Sequence, residues 1–263
     1  MSDSVKITVL SDKLALPDFE GEHGLSFVVD ADRRILFDTG ASDLFLRNAD
    51  KLGVNLKEID TVVISHGHYD HGNGLQYISG KRIITHPCAF TTRYSGRSGR
   101  NLTVAVTHEN IEACNTLVES REPLWLSEKI VYLGEIERTM SFERKLAPQF
   151  HFADGTTDPI IDDSALAIKT AKGIFVISGC AHSGICNIVE QARKVCQQSK
   201  VYGVIGGFHL TEVNEQLSQT IDYLKETGVE YVLPSHCTSP EVINEFRKNF
   251  KGENVKTGMI FEF

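Results

Sequence analysis

"SHGHYDHGNG", Ser65 to Gly74, sets His66, His68, Asp70 and His71 within six consecutive positions, directly after the apolar run "TVVI". The run has the length and β-branched content of a buried strand, so the cluster stands where a strand stops. Side chains two apart at a strand end point the same way, which lets His66 and His68 chelate one cation. Asp70 and His71 open the next turn and can face the same cavity. Imidazole nitrogen with carboxylate oxygen suits Zn²⁺ first, with Fe²⁺ or Mn²⁺ as alternatives. No cysteine lies nearby, which argues against a soft-metal cage.

The cluster alone does not complete a coordination sphere, so ligands must come from elsewhere. Two later apolar runs end in the same fashion. "GIFVISG" runs into "CAHSG" and delivers His182, and "YVLP" runs into "SHC" and delivers His236. Loops at strand ends are where layered α/β sheets carry their chemistry.

The rest of the chain supports such a layered fold. "VKITVLSD" alternates like a strand, and "LSFVVD" and "RRILFDTG" read as a hairpin around "ADRR". "LFLRNADKLGV" has helical spacing and ends at Gly53. The last third repeats strand then helix: "CNIVEQARKVCQQ", "FHLTEVNEQLSQTIDYLKETG" and "SPEVINEFRKNF" each follow an apolar run, and "GMIFEF" closes as a strand. Hairpins first and strand–helix units last predict paired sheets with helices outside. Between about residues 90 and 142 the tone changes. "RYSGRSGRN" is rich in Gly, Ser and Arg, and "ENIEACNTLVES" reads as a helix between "LTVAVT" and "KIVYLG". This stretch is expected to be a small inserted βαβ-like subdomain.

Bulk properties bound the function. At 263 residues with 41% hydrophobic content the chain can bury a large core. A net charge of −8 argues against nucleic-acid binding. No run approaches the ~20 apolar residues of a membrane span, and "MSDSVKITVL" lacks the pattern of a signal peptide. Six dispersed cysteines do not read as a disulfide framework, so a cytoplasmic location is expected. Oligomeric state has no signature.

"HGHYDH" resembles the His-x-His-x-Asp-His signature of the metallo-β-lactamase superfamily. "FDTG" (Phe37 to Gly40) and "LPSHC" (Leu233 to Cys237) are similar to its first and last motifs. More narrowly, "EHGLSF", "GEIERT", "DDSAL", "SGCAHSGICN", "IGGFHL" and "SHCT" resemble the dihydropterin-synthase-like branch, related to 7,8-dihydropterin-6-methyl-4-(β-D-ribofuranosyl)-aminobenzene-5'-phosphate synthase. The resemblance implies a four-layer αβ/βα sandwich with one or two divalent metals at an edge of the paired sheets. It implies that His66 and His68 hold one metal and that Asp70, His71 and His236 hold the other, with Asp38 orienting the loop by hydrogen bonds. It also implies an enzyme acting on a small phosphorylated or pterin-like molecule, through activated water or Lewis-acid catalysis, with Asp70 holding a proton. A general metallohydrolase is the alternative, and a metal-retaining binding module the non-enzymatic one.

The chain departs from the superfamily pattern in two places. The turn before "SALAI" reads "PIIDD", without the usual histidine, and the next strand ends in "SGCAH" rather than Gly-Asp. His182 is expected to fill the vacant place, with Cys180 or Asp163 as weaker candidates. His209, behind two glycines in "GGFHL", either contacts the substrate or heads a surface helix. The resemblance favours a site wall for His23. Arg93, with Arg97 and Arg100, could clamp an anionic substrate or belong to a solvated loop. His86, His108 and His151 have no supporting context.

Overall fold

In a computed structural model, residues 4–143 and 149–263 are described; residues 1–3 of the N-terminal stretch lie outside them. The chain opens with β1 (Lys6–Ser11), β2 (Ser26–Asp30), β3 (Arg34–Phe37), α1 (Leu44–Lys51), β4 (Thr61–Val63), α2 (Tyr69–Gly72) and β5 (Arg82–Thr85). Next come β6 (Arg93–Ser95), α3 (His108–Cys114), β7 (Thr116–Glu119), β8 (Leu124–Trp125), β9 (Ile130–Tyr132) and β10 (Phe150–Phe152). The final part holds β11 (Ala165–Thr170), β12 (Gly173–Ser178), α4 (Ile185–Cys196), β13 (Val201–Gly207) and α5 (Glu215–Glu226). It closes with β14 (Tyr231–Ser235), α6 (Pro240–Asn249) and β15 (Ile260–Glu262).

Two sheets form the body. The first has the order β15-β1-β2-β3-β4-β5-β7 and the second β14-β13-β12-β11-β9-β8. The central strands β2, β3, β12 and β13 bury both faces, which is why they read as continuous apolar runs. Successive side chains point to opposite faces, so each strand feeds two cores. In β12, Phe175 and Ile177 pack between the sheets against Phe27, Phe37 and Val63. Its Ile174 and Val176 turn outward and meet Ile188 of α4, Leu217 of α5 and Phe246 of α6. In β3, Ile35 and Phe37 face the inter-sheet core while Leu36 joins Phe45, Ala49 and Leu75 on the outer face of the first sheet. Three apolar layers separate four layers of structure: the expected αβ/βα sandwich.

The stretch 90–142 differs from its sequence reading. The helix expected over "ENIEACNTLVES" stops at Cys114, because Asn115 is extended and Thr116–Glu119 pairs in parallel with β5 as the edge of the first sheet. β-branched residues and an available sheet edge outweigh helical spacing there. "KIVYLG" supplies β9 to the second sheet, and "LTVAVT" forms no strand beyond the single bridge between Thr103 and His68. Among the described residues, only the two-stranded ribbon of β6 and β10 stands outside the two sheets. What reads as an insert is mostly sheet edge.

The parallel parts of the two sheets position the site. β3 and β4 are parallel neighbours in the first sheet, as are β12, β13 and β14 in the second. Their carboxyl ends release the segments that begin at Asp38, Ile64, Gly179, Phe208 and His236. Among the described residues, six non-glycine residues have positive φ, and five of them lie in this region: Asp38, Ile160, Ala181, His209 and His236. Each left-handed residue of that kind costs roughly 1–2 kcal/mol.

Candidate metal centre

The metal-binding potential starts with how the "SHGHYDH" turn is held. Asp38, just past β3, accepts hydrogen bonds from the Ser65 amide (2.7 Å) and hydroxyl (2.8 Å), and from His71 Nδ1 (2.6 Å). The single hydroxyl proton of Ser65 is thus committed to Asp38, so Ser65 Oγ accepts from His66 Nδ1 at 2.9 Å. His66 therefore carries its ring proton on Nδ1 and presents the Nε2 lone pair forward, while His71 donates from Nδ1 to Asp38. Gly67 lies so close to a neighbouring chain segment that a Cβ there would stand 1.7 Å from the Ala89 carbonyl oxygen, which no side chain tolerates. Its amide donates to Asp162 at 2.7 Å. His68 then starts α2, which carries Asp70 and His71.

Distant strand ends complete the arrangement. His182 follows Ala181, whose φ of 52° bends the chain, and Asp163 accepts the Ser183 amide at 2.8 Å. His236 adopts φ 53° directly after β14. Three groups of donor atoms result, each spanning no more than 4.8 Å: His66, His68 and His182; His66, His71 and Cys180; His23, Asp70 and His236. Within them His66 Nε2 faces His68 Nδ1 at 2.9 Å, and His71 Nε2 faces Cys180 Sγ at 3.2 Å. Asp70 Oδ2 lies 3.2 Å from His23 Nε2 and 3.3 Å from His236 Nε2.

Several of these atoms are buried without a partner. His182 Nε2 and both ring nitrogens of His236 lack a hydrogen bond, as does His68 Nε2, on the other side of the ring from the Nδ1 that faces His66; the contact of His236 with Asp70 is close but poorly aligned. A buried polar atom left unpaired costs about 1–3 kcal/mol, so so many imidazole nitrogens meeting in one place fit a cation as their common partner. Burial also holds His66, His68 and His182 well below the usual imidazole range, with neighbouring histidines adding to the effect at His66 and His182. These rings are neutral and keep the lone pairs that ligation needs. Burial lowers His236 to about 4 in the same way. At His71 burial is outweighed by the facing Asp38 and Asp70 carboxylates, which push it up to about 9. At Asp70 burial is likewise outweighed, here by His71, His23 and His236, and the carboxyl stays well below its usual range. Burial pushes Asp163 up to about 6 and raises the Cys180 thiol.

Of the residues singled out from sequence, Asp38 and Asp163 support the loops, and His209 stands beside His182 with ring centres 4.7 Å apart. Arg93 must be corrected. It is buried at 1% exposure, its guanidinium pairs with Asp162 (2.9 Å) and Asp158 (3.2 Å), and it also donates to the Cys88 carbonyl. A guanidinium committed in this way cannot clamp a substrate. It instead fixes Asp162, which holds the Gly67 amide. Arg100 remains at the surface, over the Tyr69 ring at 4.4 Å.

Ser65, Asp162 and Phe150 were not legible as site residues. Phe150, on β10, packs its ring 5.0 Å from that of His68 and 5.1 Å from that of His182. Beside it opens a cavity of about 130 Å³ lined by Glu143, Phe150, His182, Phe208, His209 and Gln216 among others.

Fold and ligand cluster define the class: the chain belongs to the metallo-β-lactamase superfamily, whose sequence profile it matches over residues 20–193, and it is an enzyme. Members of that superfamily bind divalent metals. The chain is 35% identical to the 7,8-dihydropterin-6-methyl-4-(β-D-ribofuranosyl)-aminobenzene-5'-phosphate synthase of Methanocaldococcus jannaschii, a match covering 99% of this chain and 97% of the relative. A solved structure of a metal-dependent hydrolase of the β-lactamase superfamily superposes with a TM-score of 0.86 at 34% identity, covering 98% of this chain and 99% of the other. Zn²⁺-bound PqqB from Methylobacterium extorquens shares the fold at a TM-score of 0.57 and 10% identity, over 97% and 99% of the two chains. Among the described residues no helix is long and apolar enough to cross a membrane.

Proposed function

We propose that this enzyme is metal-dependent and acts on a small phosphorylated or pterin-like substrate in the cytoplasm. The observation that carries the reading is the convergence of donor atoms from His66, His68 and His182, with His182 Nε2 buried and unpaired, beside a cavity of about 130 Å³. Their donor set suits Zn²⁺, with Fe²⁺ or Mn²⁺ as alternatives. Neighbouring ligands of one tetrahedral Zn²⁺ stand about 3.3 Å apart by its bond lengths, and the 2.9 Å between the facing nitrogens of His66 and His68 approaches that spacing. A second position draws on Asp70, His71 and His236, with Cys180 against His71. A divalent cation there supplies Lewis acidity toward a phosphoryl or carbonyl oxygen and activates water.

The chain's own residues supply the rest. Asp70, between His23 and His236, stays ionised and offers Oδ2 as an anionic ligand oxygen. Phe150 offers a flat apolar face to a heterocycle at the cavity and covers the buried rings of His68 and His182. Arg100 on Tyr69, next to Asp70 in sequence, offers a charge to a phosphate at the rim. All six cysteines are free, which fits a reducing compartment. The likeness to a solved metal-dependent hydrolase supports a general metallohydrolase as the second reading.

Elemental analysis of protein purified without added metal tests the proposal, and one to two equivalents per chain are expected. Assays with a dihydropterin substrate and with a generic phosphodiester then separate synthase from hydrolase. Absence of metal both as purified and after incubation with Zn²⁺, Fe²⁺ and Mn²⁺ would overturn the reading. Asp38→Asn gives a finer test. The amide replaces one acceptor oxygen with a donor, so His71 or Ser65 loses its partner. Metal affinity is expected to fall roughly 10–100-fold, as read by calorimetric titration of metal-free protein.

A further inference from the structure

We propose that His23 is itself a metal ligand, completing from the open side the position that Asp70 and His236 begin. The inference rests on the metal-dependent reading above and extends it to a residue outside the histidine cluster and the strand-end histidines. His23 Nε2 lies 3.2 Å from Asp70 Oδ2, and His236 Nε2 lies 3.3 Å from the same oxygen. Ligand bonds of 2.0–2.2 Å in a tetrahedral arrangement space neighbouring donors about 3.3 Å apart, so both edges have ligand–ligand length. The His23 and His236 rings stack with centres 5.1 Å apart and planes 20° from parallel, bringing two imidazoles to one carboxylate oxygen. His236 is 3% exposed and its Nε2 has no hydrogen-bond partner, so this buried nitrogen points into the group unsatisfied.

The loop that carries His23 is built rather than loose. Glu22 donates its amide to the Asp12 carbonyl at 3.1 Å, and its carboxylate accepts from Ser11 Oγ, the Ala41 amide and Ser42 Oγ at 3.2, 3.0 and 2.6 Å. On the other side, the Leu25 amide donates to the Asp70 carbonyl at 3.1 Å. His23 is thus held between two anchors, one of them Asp70 itself, although its own side chain is half exposed. A partner needed only to satisfy buried Asp70 would gain nothing from facing solvent, whereas a ligand at the mouth closes the position and remains exchangeable. The two positions are then unequal: one enclosed by His66, His68 and His182, the other reaching the surface through His23.

The test compares His23→Ala and His23→Gln with the unaltered protein by calorimetric titration of the metal-free forms with Zn²⁺. A parallel Co²⁺ titration follows visible absorption. Glutamine retains a hydrogen-bond donor for Asp70 but is a poor Zn²⁺ ligand, so it separates the two roles. The unaltered protein is expected to bind two equivalents. Both variants are expected to keep the tighter one and to hold the weaker one at least about tenfold less firmly, with a changed Co²⁺ spectrum. Two equivalents bound by His23→Gln with unaltered affinity would overturn the proposal and leave His23 a hydrogen-bond partner. A single equivalent in the unaltered protein would overturn it while leaving the metal-dependent reading intact, and no binding at all would overturn both.

Discussion

The His182→Ala protein, purified without added metal, is expected to lose the tighter equivalent and to retain less than about one hundredth of the catalytic rate. His182 is one of three imidazoles in the enclosed group, and burial keeps it neutral. Loss of a residue that merely supports a ligand costs roughly 10–100-fold in metal affinity or activity, and loss of a ligand costs more. The side chain is buried against His66, His68, His209 and Phe150, so its removal also leaves space. Thermal melting in excess Zn²⁺ separates that packing loss from the binding loss. Normal metal content in this variant would show that another residue stands in for the histidine absent from the "PIIDD" turn, with Cys180 and Asp163 next to be replaced.

Arg93→Met should fail in a different way. Its guanidinium is the counter-charge for Asp158 and Asp162, both buried, and removing one partner of a buried ion pair costs about 3–5 kcal/mol. The expected result is a large drop in melting temperature together with weaker metal binding, because Asp162 holds the Gly67 amide between two histidines. Arg93→Lys should recover only part of the loss, since one ammonium cannot reproduce the fork. A stable variant with raised KM for a phosphorylated substrate would instead restore Arg93 as a substrate clamp.

The two arginine readings show what a sequence conceals. In "RYSGRSGRN" all three arginines look solvated, and nothing local distinguishes Arg93 from Arg97. Its partners lie 65 and 69 positions later, and only folding reveals that pairing. Strands such as β2, β3, β12 and β13 were legible because burial on both faces leaves unbroken apolar runs. β7 was not, because four residues of an edge strand carry little periodicity and follow a true helix without a break. The histidines at strand ends were legible because their density is improbable unless they act together. Phe150 was invisible for the opposite reason: one aromatic residue in a short ribbon looks like any other, and its contact with His68 and His182 depends on the ribbon's placement.

Five left-handed, non-glycine residues crowd the edge that carries the ligands, while among the described residues no non-glycine residue within a strand of the two sheets has positive φ. This distribution divides the molecule into a conservative body and a tense rim. At Asp38, His209 and His236 the left-handed residue itself carries a candidate site side chain, so drift toward glycine would remove that group along with the tension. Ala181 and Ile160 contribute no candidate ligand, and yet they hold the turns from which His182 and the Asp162–Asp163 pair depart. An engineer seeking a hardier enzyme would therefore find little slack in the sheets. The room for improvement lies at these two positions, where comfort of the chain and aim of its neighbours must be traded against each other.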